Sequence, residues 1–444
     1  MPYKSRAKWL ILFLFLSLLI ACQDEPTLPQ PSGDNAAEMA TGWFELQLKL
    51  VKETPGFTPP VASRAFGYAG LTLYETAVPN MPDHNSLVGQ LNGLDTLPQP
   101  DPNQAIHWAA AANSALATIV RLLYPTATPE NLDAVDAYEQ QYAEQYAAEA
   151  GQVVFAQSVA YGQAVAEAIF DWSRSDGGHE GYASNFPDTY TPVEGPGRWV
   201  PTPPNFQAAL QPYWGLNRPF VTHTGCTVPP PTEYSEDPLS LFYAENLIVY
   251  ATVQNLTPEQ EAIALFWADD PGATFTPPGH SIAIATQVLQ QENADLALAA
   301  ETYARVGLAV TDAFIGCWDA KYTYNLIRPI SYIQAIIDPT WNTPEITDPV
   351  ITPPFPEYPS GHSVQSGAVA EVLTDIFGDE YHFTDRSHSD RGLPDRTYNS
   401  FWHAAEEAAI SRLYGGIHYL PAIELGVAQG KCIGEQINAL AWRN

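Results

Sequence analysis

The chain has 444 residues, ample for a large core and long for one domain by the ordinary prior of about 100–200 residues. It carries 50 acidic against 19 basic residues, a formal net charge of -31. Such a surface repels nucleic acid and anionic lipid, which argues against a nucleic-acid partner, and it makes any gathering of basic residues informative.

The N-terminus reads as a targeting leader. Lys4, Arg6 and Lys8 precede an apolar run from Leu10 to Ile20 that is too short for a settled membrane span. The run ends in Leu19-Ile20-Ala21-Cys22, the form of a bacterial lipobox. Residues 1–21 are therefore expected to be a lipoprotein signal peptide and Cys22 the lipidated residue that anchors the chain to a membrane. An ordinary signal peptide with an incidental cysteine is the plainer alternative. Gln23 stands where inner-membrane retention would place Asp, so the expected location is the bacterial cell envelope, at the outer membrane, on its periplasmic or surface face. Residues 22–35 are polar and proline-rich and read as a flexible tether.

Helical spacing then takes over. Amphipathic runs begin at Trp43 and at Val61, and an Ala-rich one covers Asn103 to Leu123. Pro129 and Glu130 open a further helix towards Glu149, and Gln152 to Ser173 forms the next. Residues 176–235 change character to Gly, Pro, Tyr and Trp, a long irregular insertion. Helices resume near Pro238. Thr257-Pro258 is a good helix start, and helical stretches follow over Asn293–Leu326, Gly361–Phe377, Tyr398 to about Tyr414, and Pro421–Trp442. Alternating Val, Ile and Thr are scarce, and no apolar run of about 18 residues or more follows the leader. The expected fold is all-α, with long irregular loops. One helical domain is expected over 36–444, with N-terminal helices at 36–175, the loop-rich insertion at 176–235 and a catalytic helical part at 238–444. Cys226, Cys317 and Cys432 allow one disulfide in an oxidising compartment, and the sequence does not choose the pair.

Three basic clusters fall in the last third. Lys321 and Arg328 stand seven apart with Pro329 after them, which on a continuous helix puts both on one face about 10 Å apart. Taken singly, that pair reads as a solvated helix face. The stretch Glu357-Tyr358-Pro359-Ser360-Gly361-His362 follows Pro353, Pro354 and Pro356, which forbid a helix before it. Ser360, Gly361 and His362 therefore land on a first helical turn, where unpartnered N–H groups favour an anion. Arg412 lies in a helix that Gly415-Gly416 interrupts, freeing His418 to turn towards whatever Arg412 binds.

Together these form K-x6-R-P, P-S-G-H and S-R-x5-H in that order, a set that resembles the signature of the type 2 phosphatidic-acid phosphatase and vanadium-dependent haloperoxidase superfamily. The resemblance implies helical bundles of the acid phosphatase and haloperoxidase type. It implies that Lys321, Arg328 and Arg412 neutralise an oxyanion and that Ser360 and the Gly361 N–H donate to it. His418 would be the axial ligand of vanadium, or the nucleophile of a phosphatase, and His362 the acid–base. Trp318 and Phe355 resemble the aromatic halide-pocket residues of the bacterial iodoperoxidases and fungal chloroperoxidases, core packing being the plain alternative, and Asp319 would orient pocket groups. The implied activity is a vanadate-dependent, haem-free oxidation of halide, iodide or bromide first, by hydrogen peroxide to hypohalous acid, with Lys321 polarising the peroxide. Two alternatives stand beside it: a soluble acid phosphatase using the same pocket, and a non-enzymatic nutrient-binding outer-membrane lipoprotein. Oligomeric state is not legible.

Other motifs fall short. Gly279-His280-Ser281 and Gly361-His362-Ser363 begin like a nucleophile elbow but lack its last glycine and a preceding strand. Thr276-Pro277-Pro278-Gly279-His280 echoes P-S-G-H without the serine, and reads as a helix start. Residues 385–395 are polar and loop-like, without the spacing of a calcium-binding loop. Acidic pairs are too common in so acidic a chain to indicate a glycosidase.

Overall fold

The computed structural model describes residues 34–222, 225–344 and 350–444. The expected signal peptide, the lipidated Cys22 and most of the tether lie outside the described residues. The elements are α1 (Asp34–Glu53), α2 (Pro59–Ala77), α3 (Trp108–Leu123), α4 (Pro129–Ala150), α5 (Gln152–Ser173), α6 (Leu241–Gln254), α7 (Pro258–Phe266), α8 (Thr276–Gln291), α9 (Leu296–Tyr324), α10 (Pro329–Tyr332), α11 (Gly361–Phe377), β1 (Phe383–Asp385), β2 (Arg396–Tyr398), α12 (Phe401–Tyr414) and α13 (Leu420–Asn438). The all-α expectation holds, apart from one short antiparallel pair in which Phe383 faces Tyr398.

Local chemistry explains the boundaries. Thr128 and Thr257 cap α4 and α7, each with proline in the first turn, and Thr257 and Gln260 form a reciprocal capping box. Asp295 caps α9 by accepting from the Leu298 N–H at 2.9 Å. Three expected boundaries move. α1 starts at Asp34, inside the expected tether. α3 starts only at Trp108, because the His107 side chain accepts from the Ala110 N–H at 3.2 Å and caps it there. Tyr398 is not helical: it pairs in β2, and Ser400 caps α12.

α9 is the axis of the molecule, buried over nearly all its length and packed against α2, α8, α11 and α13. Close approach to α2 requires glycine: a Cβ at Gly70 would sit 2.3 Å from the Tyr303 carbonyl oxygen. One buried apolar cluster runs from Ala36 to Trp442, so N- and C-terminal helices share a core. α5 is long and apolar enough to cross a membrane by length and composition, which the expectation of no such run overlooked. Its Tyr161, Val165, Ala166 and Ile169 are buried, and a Cβ at Gly162 would meet the Ala111 carbonyl of α3 at 2.1 Å, so α5 is fitted tightly to its neighbour.

Cys226 and Cys432 form the disulfide, tying the end of the 176–235 insertion to α13, while Cys317 is a buried free thiol. The insertion is irregular as expected, with single 3-10 turns at Gly181–Ala183 and Trp214–Leu216.

Candidate active site

The first basic pair does not lie on one helix. α9 ends at Tyr324 because Asn325 takes a left-handed conformation at φ 52° and closes the last turn through its N–H to the Lys321 carbonyl. Arg328 follows in extended backbone and Pro329 opens α10 rather than stopping α9. This break solves the spacing problem that a continuous helix posed. The Lys321 ammonium and the Arg328 guanidinium each lie 4.9 Å from the centre of the Phe355 ring.

Ser360 is the N-cap of α11. Its Oγ accepts from the Ser363 N–H at 3.3 Å, which leaves its O–H to donate elsewhere. Past the Gly415-Gly416 break, with Gly416 at φ 70°, His418 sits in the link between α12 and α13. Gly361, His362, Arg412, His418, Trp318 and Phe355 all line one cavity of about 360 Å³. The insertion adds Phe186, Asn205, Gln207 and Leu210 to its wall. Lys321, Arg328 and Ser360 stand directly behind that wall, each fully buried. Asp319 is exposed and does not line the cavity, so the orienting role expected for it is not supported. Its backbone instead packs on Gly215, where a Cβ would meet the Asp319 Cα at 2.4 Å.

The hydrogen bonds assign states to the buried groups. Lys321 shares its ammonium among the carbonyls of Pro356 (3.0 Å), Glu357 (3.0 Å) and Pro359 (2.5 Å). Burial, with the charge of Arg328 beside it, pulls its pKa down to about 7 against the opposing influence of Cys317 and Glu357. Arg328 donates from Nε to the Phe355 carbonyl at 2.9 Å and from Nη1 to the Ile417 carbonyl at 2.9 Å and to His418 Nε2 at 3.2 Å. Its Nη2 is buried with no partner. Burial lowers both Arg328 and Arg412 to about 10. His418 and His362 are held well below the ordinary imidazole value, first by burial, then by Arg328 and Lys321 at His418 and by Arg412 at His362. His362 Nε2 is shielded and unpartnered.

Glu357, quoted with the P-S-G-H stretch, was given no role by sequence reasoning. It is fully buried, and its Oε1 accepts from His418 Nδ1 at 2.7 Å and from the Tyr419 N–H at 2.9 Å. That bond places the His418 proton on Nδ1 and leaves the Nε2 lone pair towards Arg328 and the cavity. The only signal available was a carboxylate in an otherwise apolar, proline-rich loop.

His280 of the T-P-P-G-H echo does begin a helix, but its ring lies behind the cavity wall, between Asp269 and Asp385 at 2.8 Å from each. These carboxylates, working against burial, raise its pKa from 6.5 to about 10, while the imidazolium lowers theirs. A raised pKa contributes stability that is complete below about pH 6.5 and is lost as pH climbs through about 10; the carboxylates' share is lost as pH falls below their ordinary range. Urea unfolding of wild type and His280→Gln between pH 6 and 10 is expected to show the wild-type advantage shrinking with rising pH.

Comparison with known proteins places this geometry. Residues 301–443 match the VCPO second helical-bundle domain, the part of the chain that holds all three motifs. The vanadium chloroperoxidase of Curvularia inaequalis is 33% identical over 137 residues, covering 26% of this chain and 22% of that protein. The structure of a bacterial holo-type vanadium-dependent chloroperoxidase shares the fold, with a TM-score of 0.66 at 16% identity over 92% of this chain and 95% of that one. A bacterial vanadium-dependent iodoperoxidase superposes with a TM-score of 0.82 at 37% identity, over 92% of this chain and 97% of that one. Likeness of that extent, over nearly the whole of both chains, makes the chain a member of the vanadium-dependent haloperoxidase family.

Proposed function

We propose that the chain is a vanadate-dependent haloperoxidase that oxidises halide, iodide or bromide, with hydrogen peroxide to hypohalous acid. One observation carries the proposal. The buried donor Arg328 Nη2 and the buried His362 Nε2 lack protein partners beside a helix start and a histidine whose Nδ1 is bonded to Glu357 and whose Nε2 faces Arg328 Nη1 at 3.2 Å. Orphaned buried groups are costly unless a ligand completes them, and a tetrahedral or trigonal-bipyramidal oxyanion matches this donor set. At Gly361 an added Cβ would make only ordinary contact with Trp318, at 3.7 Å, so the fold does not itself demand glycine there; a closely approaching anion does.

His418 Nε2 would hold the vanadium. Ser360 O–H, the Gly361 N–H and Arg328 Nη2 would donate to its oxygens, and Lys321 and Arg412 would add positive charge. Bound vanadate supplies a Lewis-acidic centre that activates hydrogen peroxide towards halide. His362 Nε2 accepts a proton from entering peroxide and returns it to departing water. Trp318 and Phe355, with ring centres 4.9 Å apart, give the cavity an apolar wall suited to a polarisable halide. The leader supports a lipid-anchored protein at the bacterial outer membrane, facing the periplasm or the surface.

The test is to supply orthovanadate to purified protein and measure peroxide-driven halide oxidation, beside phosphate-ester hydrolysis without vanadate. Ester hydrolysis with no vanadate-dependent halide oxidation would sink the proposal. Within this reading Glu357→Gln keeps the shape but removes the carboxylate charge from His418. Orthovanadate affinity is expected to fall about 10–100-fold, the usual cost of losing an outer partner of a metal-ligating histidine, as read by titration calorimetry.

A further inference from the structure

A buried polar unit of four side chains lies outside the oxyanion site. His280 Nδ1 meets Asp269 Oδ2 and its Nε2 meets Asp385 Oδ2, both at 2.8 Å. The other Asp269 oxygen meets His388 Nε2 at 3.1 Å. All four side chains are essentially inaccessible to solvent. The unit ties three separate segments together: the link after α7, the N-terminal part of α8, and the end of β1 with the loop that follows it.

What it ties down borders the cavity. Ala268, Asp269, Asp270 and Pro271 line the cavity wall, and Asp269 holds a left-handed backbone at φ 51°. A non-glycine residue keeps that conformation only where its surroundings hold it. The preceding Trp267 stacks on the His280 ring, centres 4.4 Å apart at 21°, and its indole N–H donates to Glu407 at 3.0 Å. The residues that follow Trp267, Ala268 to Pro271, line the same cavity as His362. A line of contacts therefore runs from Asp385 through His280 to Trp267, at the start of that wall segment.

A metal ion is the competing occupant, since ligating atoms of Asp269, His280 and His388 lie within 4.8 Å of one another. Both His280 nitrogens, however, already stand at N–H···O distances from carboxylates. A ring protonated on both nitrogens has no lone pair for a metal.

We propose that Asp385, His280, Asp269 and His388 form a positioning unit that fixes the Trp267–Asp270 segment and, through that segment's place in the cavity wall, sets the ring orientation of His362. The proposal rests on the acid–base role given to His362 above. His280 touches no substrate and acts only through its neighbours.

The experiment compares wild type with His280→Gln, using protein carrying 15N-labelled histidine and turnover measured with orthovanadate, peroxide and iodide. In wild type the His362 ring, assigned by its loss in His362→Ala, should show one tautomer. In folded His280→Gln that signature should give way to a mixture. The kcat should fall about tenfold to a hundredfold, the scale of a misplaced catalytic group, while orthovanadate binding by calorimetry stays near wild type. If His280→Gln does not fold, Asp385→Asn carries the same comparison. An unchanged His362 spectrum with unchanged kcat overturns the proposal. So does about one equivalent of tightly held divalent metal in wild type that the variant loses. Should wild type fail to oxidise halide at all, the functional reading falls, and the His362 spectrum still decides the positioning claim.

Discussion

Replacing His418 with alanine is expected to give a folded protein that does not retain orthovanadate and does not oxidise halide. Folding should survive because the partners of His418 are not left alone. Glu357 Oε1 keeps the Tyr419 N–H at 2.9 Å, and Arg328 Nη1 keeps the Ile417 carbonyl at 2.9 Å. The loss falls instead on the proposed ligand itself, its Nδ1 bonded to the buried Glu357 and its Nε2 facing Arg328 Nη1 at 3.2 Å beside the cavity. Losing an outer partner of such a ligand costs about 10–100-fold in affinity, and losing the ligand itself should cost well over about a hundredfold. Vanadium content after gel filtration, set beside calorimetric binding, checks this. Equal content in wild type and His418→Ala refutes the axial role.

His362→Ala should separate binding from turnover. Its removal leaves Arg328, Lys321, Arg412, His418 and the start of α11 in place, so orthovanadate binding should remain within about tenfold of wild type, a loss of about 1.4 kcal/mol. Turnover should fall about 10²–10⁴-fold, the range for a lost general acid–base group. The opposite pattern, with binding lost and residual turnover per bound vanadium intact, would show that His362 is a ligand rather than a proton carrier. Measuring both variants side by side is the strongest check on the site, because the two histidines are expected to fail in different ways.

The helices were legible where punctuation and periodicity agreed. Thr257-Pro258 with Gln260, and Ser360 after a run of prolines, mark helix starts through local hydrogen bonds that need no tertiary partner. Periodicity was weaker where a tertiary contact or a side-chain cap intervened. His107 delays α3, and Tyr398 joins a strand pair because Phe383, far away in sequence, supplies the partner edge. The second basic residue of K-x6-R was legible as a participant and illegible as geometry. A left-handed Asn325 has no periodic signature, and it is this residue that turns Arg328 back towards the ring that Lys321 approaches.

Within the proposed site, the residues expected to bear charge or donate to an anion were named by the three motifs and the resemblance they carry. Their supports were not. Glu357 is one carboxylate among many until the fold buries it against His418, and Asp269, His280, Asp385 and His388 come from segments whose meeting no spacing encodes.

Sequence alone determined the helical class, because caps and prolines act over a few residues, and the order of the motifs, whose resemblance named the side chains proposed to answer a negative charge. The tertiary structure decided which of those groups are sealed from water, which keep a free donor or lone pair, and which carboxylates hold them. Desolvation and hydrogen-bond pairing depend on neighbours brought together across the chain, so they exist only once the chain has folded.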